Sequence, residues 1–204
     1  MTALFLAAWL HLLAPSAPTA AAVQAPCTCA SAKAVNGWCE AHAVGYVGDI
    51  PIRSKELFEV LDAHGHELDL STFTCPSCKS AIATQGFCEQ HHIGFVGRLA
   101  YFSRLTYELA RGESSDPAKI KCPTCRKNAQ SHGWCAKCKI GRIGHVAITD
   151  PAAYQRAEHA VLILLIAIAA APRCDMCAAA IVLDTECPVC RITYKDGRPV
   201  PPRQ

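Results

Sequence analysis

The chain has 204 residues, 51% of them hydrophobic, and a formal net charge of +3. That charge does not mark a dedicated nucleic-acid protein, which normally shows a concentrated basic face. Fourteen cysteines and nine histidines stand out, and their spacing decides between disulfides and metal ligands.

Residues 3–13 form an almost unbroken apolar run, followed by Pro15, Pro18 and the small residues 19–22. The pattern predicts a secretory signal peptide over 1–22, although the usual basic start is missing. An exported protein, periplasmic or secreted, is therefore expected, with no membrane attachment once the segment is cleaved. Such a chain seldom meets nucleic acid, so a protein partner of unknown identity is expected instead.

Four cysteine-rich repeats follow. Residues 23–66 hold Cys27, Cys29, Cys39 and His42; residues 67–116 hold Cys75, Cys78, Cys88 and His91. Residues 117–172 hold Cys122, Cys125, Cys135 and Cys138; residues 173–196 hold Cys174, Cys177, Cys187 and Cys190. In every repeat nine residues separate the second ligand from the third. Groups of four soft ligands suit a tetrahedral metal ion, and His42 and His91 argue against bridges. They stand where Cys138 and Cys190 stand in the other repeats. A cysteine-to-histidine exchange keeps a metal ligand and destroys a disulfide. Up to four Zn2+ ions are expected, with iron an alternative in the all-cysteine sites. In the first repeat only one residue separates Cys27 from Cys29, so full coordination is less secure there.

More than ligands recurs. Counting from the fourth ligand, glycine stands three and six residues on: Gly45 and Gly48, Gly94 and Gly97, Gly141 and Gly144. Apolar pairs at Ile50 and Ile52, Leu99 and Tyr101, Val146 and Ile148 predict a short strand. Ser54, Ser103 and Asp150 read as helix N-caps, and Gly65 and Gly112 as helix stops. Each helix carries an aromatic, Phe58, Tyr107 or Tyr154, and another aromatic precedes each third ligand: Trp38, Phe87 and Trp134. Hairpins are expected between the ligand pairs. The third helix runs into eleven apolar residues at 161–171 and is expected to be buried between repeats three and four. Residues 197–204 are expected to be a disordered tail.

The paired knuckles and the prolines of Cys75-Pro76-Ser77-Cys78, Cys122-Pro123-Thr124-Cys125 and Cys187-Pro188-Val189-Cys190 resemble zinc-ribbon and rubredoxin-like knuckles. The resemblance implies structural metal sites at the ligands named above. It departs from those families in placing Lys79, Arg126 and Arg191 where a glycine usually follows the knuckle. The fold class expected is small metal-stabilised α+β modules, a tandem array of four zinc-ribbon-like repeats of which the last is truncated. The function expected is non-enzymatic, with structural zinc sites presenting a partner-binding surface, since no nucleophile, base and orienting group recur at a fixed spacing. Metal handling in the cell envelope is one alternative. Nucleic-acid binding is another if the chain is not exported; the cluster Lys119, Lys121, Arg126 and Lys127 reads as a solvated surface.

Overall fold

The computed structural model describes residues 29–201; the expected signal segment, Cys27 and residues 202–204 lie outside them. In the first unit helix α1 (Cys29–Ala34) leads to strands β1 (Trp38–Cys39), β2 (Val44–Val47) and β3 (Ile50–Ile52), then helix α2 (Lys55–Leu61). Strand β4 (His66–Glu67) follows. The second unit repeats the order as α3 (Pro76–Thr84), β5 (Phe87–Cys88), β6 (Ile93–Val96), β7 (Leu99–Tyr101) and α4 (Arg104–Arg111), with β8 (Glu113–Ser114) after it. The third comprises α5 (Pro123–Asn128), β9 (His132–Cys135), β10 (Ile140–Ile143), β11 (Val146–Ile148) and α6 (Pro151–Ala170). The fourth has α7 (Asp175–Leu183), β12 (Thr193–Lys195) and β13 (Arg198–Val200).

The segment between ligand pairs is thus a helix in every unit, not the expected hairpin. The local chemistry explains this. Cys75 and Cys122 are extended N-cap residues followed by proline at the first helical position, where its fixed φ is helical and its missing N–H costs nothing. Alanines continue α3 and α7. Lys79 and Arg126 are therefore helical and need no glycine. The residue after the fourth ligand does turn left-handed in every unit: Ala43, His92, Lys139 and Arg191, with φ from 45° to 57°.

Each sheet is antiparallel and turns on a two-residue hairpin. Val47 faces Ile50 across Gly48 and Asp49, whose φ values of 55° and 67° match a turn that follows the strand twist. The other recurring glycine answers a steric demand. A Cβ at Gly45, Gly94 or Gly141 would overlap the ring of Phe58, Tyr107 or Tyr154 respectively. Those rings also meet Trp38, Phe87 and Trp134, with centroids 5.3–5.5 Å apart. The aromatic before the third ligand therefore packs on the helix ring across a bare glycine backbone. In the fourth unit Thr193, whose side chain is exposed, occupies the glycine position.

Other expectations shift. Ser54 and Asp150 cap their helices by accepting the N–H of Leu57 and Ala152, but the Ser103 side chain makes no cap bond. Helix α2 ends on a left-handed Asp62, three residues before Gly65. Gly112 ends α4 in an extended conformation, required because a Cβ would collide with Val146. The expected tail supplies β13, paired with β12 through an Asp196-Gly197 turn, so the fourth unit keeps its hairpin.

Two features join the units. Strand β4 pairs with β7, and β8 pairs with β11, so the strand after each helix completes the next unit's sheet. The sheets accordingly begin a little earlier than divisions after residues 66 and 116 suggest. The helices also share one core: Leu57 and Leu61 of α2, Leu105 and Leu109 of α4, Val161 and Leu164 of α6, Ala178 and Ile181 of α7. Helix α7 packs on α2 as well as α6, so first and fourth units touch and the array closes on itself. Ala157, Val161, Leu164 and Ala167, at helical spacing, are fully buried. By length and composition alone α6 is apolar enough to cross a membrane. Here one stripe lies in the core, and Leu162, Leu165 and Ile166 are partly exposed. Polar contacts reinforce the joints: Arg156 Nε donates to the buried Glu108 at 2.6 Å, and His145 Nδ1 lies 2.8 Å from Asp49.

Candidate metal centre

Every expected ligand among the described residues falls into a cluster. Cys75, Cys78, Cys88 and His91 form one, Cys122, Cys125, Cys135 and Cys138 a second, and Cys174, Cys177, Cys187 and Cys190 a third. Cys29, Cys39 and His42 converge in the same way, while Cys27 lies outside the described residues. Within each cluster all donor atoms lie within 4.8 Å of one another.

The construction recurs. In the second, third and fourth clusters one ligand pair comes from the start of a helix, the second ligand buried in its first turn; in the first, the half-buried Cys29 opens α1. In the first three clusters the other pair comes from the end of a strand and the tight turn beyond it, and in the fourth Cys187 follows the isolated bridge between Glu186 and Thr193. The register Cys39–Val44, Cys88–Ile93 and Cys135–Ile140 fixes that turn against the neighbouring strand. Small apolar shells surround the sulfurs, for example Ile120 and Ala129 around Cys125 and Cys135.

Distances separate a metal from a bridge. A tetrahedral ion with bonds of about 2.3 Å to sulfur holds its donors about 3.8 Å apart. A disulfide brings sulfurs to about 2.05 Å. Cys122 and Cys135 sulfurs lie 3.9 Å apart, and those of Cys174 and Cys187 4.0 Å. His42 Nδ1 lies 3.2 Å from the Cys29 sulfur and 3.6 Å from that of Cys39. His91 Nδ1 lies 3.3 Å from Cys78 and 3.7 Å from Cys88. The residues present therefore fit a four-coordinate soft ion, and zinc and iron suit the spacing alike. His91, not the adjacent His92, faces the thiols.

Backbone amides prepare the thiols. The N–H of Cys78 holds the Cys75 thiol below its usual range. The N–H of Cys125 does the same for Cys122, lowering it to about 6. Burial works the other way on the second ligand, pushing Cys78 and Cys125 up to about 12. In the fourth unit Cys187 settles at about 7: burial raises it, and the N–H of Cys190 and the thiol of Cys177 outweigh that. The third and fourth clusters without metal thus pair a ready thiolate with a reluctant thiol, and an incoming cation must displace the remaining protons.

The aromatic wedge and the shared core are the parts of this arrangement that ligand spacing does not reveal. The signal for the wedge is in the sequence, since the glycine, the helix aromatic and the aromatic before the third ligand recur together in three units. No known protein family, curated protein or solved structure matches the chain.

Proposed function

We propose that the chain is a non-enzymatic scaffold whose units are stabilised by zinc and present their outer surface to a partner. Closure of the sites carries this reading. In each complete cluster four donor atoms lie within 4.8 Å of one another, enough to fill a tetrahedral ion's positions, whereas a catalytic zinc keeps a position for water. The middle two ligands of those clusters are buried. Zinc is favoured over iron because two of the clusters combine cysteine and histidine, a set that zinc accepts as a redox-inert tetrahedron. Native mass spectrometry with elemental analysis tests it: four zinc ions per chain are expected. Disulfides without metal would overturn the proposal.

A second reading has its own observation. The fourth ligand of each cluster, His42, His91, Cys138 or Cys190, is exposed, which leaves a route for exchange. Metal acquisition or delivery would then show as rapid transfer to a weak chelator with the helices intact. Metal that stays inert for hours leaves the scaffold.

A further inference from the structure

The net charge of +3 conceals a segregation. Between residues 117 and 149 the chain holds seven lysines and arginines and no aspartate or glutamate. Residues 29–116, by contrast, hold eleven acidic residues against seven basic ones. Six of the seven cations, Lys119, Lys121, Arg126, Lys127, Lys137 and Lys139, are exposed. The seventh, Arg142, is buried and donates to the Ser115 hydroxyl.

The metal cluster gathers these charges. Lys121, Arg126, Lys137 and Lys139 are the immediate chain neighbours of Cys122, Cys125 and Cys138, whose sulfurs lie within 4.8 Å of one another. Four cations therefore ring one centre. The same positions elsewhere serve as a control. They hold Thr74, Lys79, Gln90 and His92 in the second unit, and Arg173, Ala178, Val189 and Arg191 in the fourth. Neutralising the thiolates does not explain the ring, because the fourth unit has the same four-cysteine set with two flanking cations. Nor are the lysines engaged internally. Lys119 approaches Asp116 at 3.9 Å, and Lys121, Lys127, Lys137 and Lys139 form no ion pair among the described residues.

The partner's chemistry follows from what the lobe lacks. Among the described residues no large apolar side chain is exposed between 117 and 149, so neither a hot-spot anchor for a protein nor a wedge for a bilayer is present. Trp134 is half-buried against Tyr154 and offers no stacking platform for single-stranded bases. Affinity must come from charge alone, which favours the partner with the densest regular charge. A nucleic-acid duplex carries one charge per about 1.7 Å of axis. Lysines contact phosphates as point charges and carry no sequence information.

We propose that the lysine-ringed third metal lobe binds duplex nucleic acid along its phosphate backbone, without sequence preference. This rests on the chain being a metal-stabilised scaffold, and not on its export. The test is fluorescence anisotropy of the metal-loaded full chain with a labelled DNA duplex of about 20 base pairs, titrated across salt. A log–log salt slope of about −4 is expected, reflecting four to five phosphates. The combined change Lys121→Gln, Lys137→Gln and Lys139→Gln should flatten that slope by about 2.7 and weaken binding at least about tenfold. Arg173→Gln with Arg191→Gln, in the fourth unit, should leave it unchanged. If the triple variant loses metal, Lys119→Gln with Lys127→Gln carries the test, with a slope flattened by about 1.8. Unchanged affinity and slope in a fully metallated variant would overturn the proposal, as would equally tight binding to anionic lipid vesicles or polyglutamate. Absence of metal from the wild-type chain would instead defeat the scaffold reading, so the two failures are distinguishable.

Discussion

The metal lobes and the helical core are held together by different physics. Around Cys125 and Cys135 the buried apolar shell consists of little more than Ile120 and Ala129. That is far too small to order a lobe by burial alone, since units of this size bury too little surface to fold without a metal, a disulfide or a neighbour. The core joining α2, α4, α6 and α7 has fully buried leucines, isoleucines and valines from all four units and contains no ligand. One region depends on coordination and the other on packing, so each can be disturbed with limited damage to the other.

Removing metal should make the largest difference. Structural zinc contributes on the order of 10 kcal/mol per site, so chelation should abolish hydrogen-exchange protection in α3, α5 and their adjoining strands. Protection in the middle of α6 should fall much less; parallel loss in both regions would refute the division. The reciprocal disturbance is Leu164→Ala, which empties a fully buried position in α6. It should cost about 3 kcal/mol in denaturant unfolding while metal stoichiometry at ambient temperature stays the same.

Gly141→Ala probes the boundary between the two regions. Its new methyl meets the Tyr154 ring, and displacing that ring should cost about 2 kcal/mol and alter Trp134 fluorescence. The equivalent Thr193→Ala in the fourth unit, where the side chain is exposed, should be nearly neutral. The smallest effect concerns protons. Cys125 is held at about 12 without metal, so at pH 7 its thiol is protonated and metal must displace that proton. Cys122, at about 6, is already ionised at pH 7 and competes with protons only below that value. Metal binding should therefore release protons at pH 7, and affinity should fall as pH falls, more steeply below about 6. Calorimetry in buffers of different ionisation enthalpy measures the release; equal heats in all buffers would contradict it.

Ligands were the most legible part of the sequence because coordination demands particular atoms at particular spacings. Cys75, Cys78, Cys88 and His91 needed no knowledge of the rest of the chain. The strands at Ile50, Leu99 and Val146 and the caps at Ser54 and Asp150 were legible for a similar reason, being short-range patterns. Helix α3 was hidden because Cys-Pro-x-Cys reads equally as a knuckle and as a helix N-terminus. The shared core was hidden more deeply. Whether Val161 faces α4, α7 or water depends on how four distant helices meet, which no local period encodes. Charge misled in another way: a whole-chain average of +3 says nothing about a stretch, 117–149, that holds seven cations and no acidic residue.

The forward pairing of β4 and β8 has a consequence for how such a chain can be divided. The recurring sequence runs from ligand to helix, but the folded sheet borrows its outer strand from the copy before it. Heredity and folding therefore count the same chain in two frames, offset by one strand. A fragment cut at the repeat boundary would strip the outer strand from β7 or β11 and leave a bare sheet edge seeking another chain. A cut before β4 or β8 would keep the hydrogen bonds in phase.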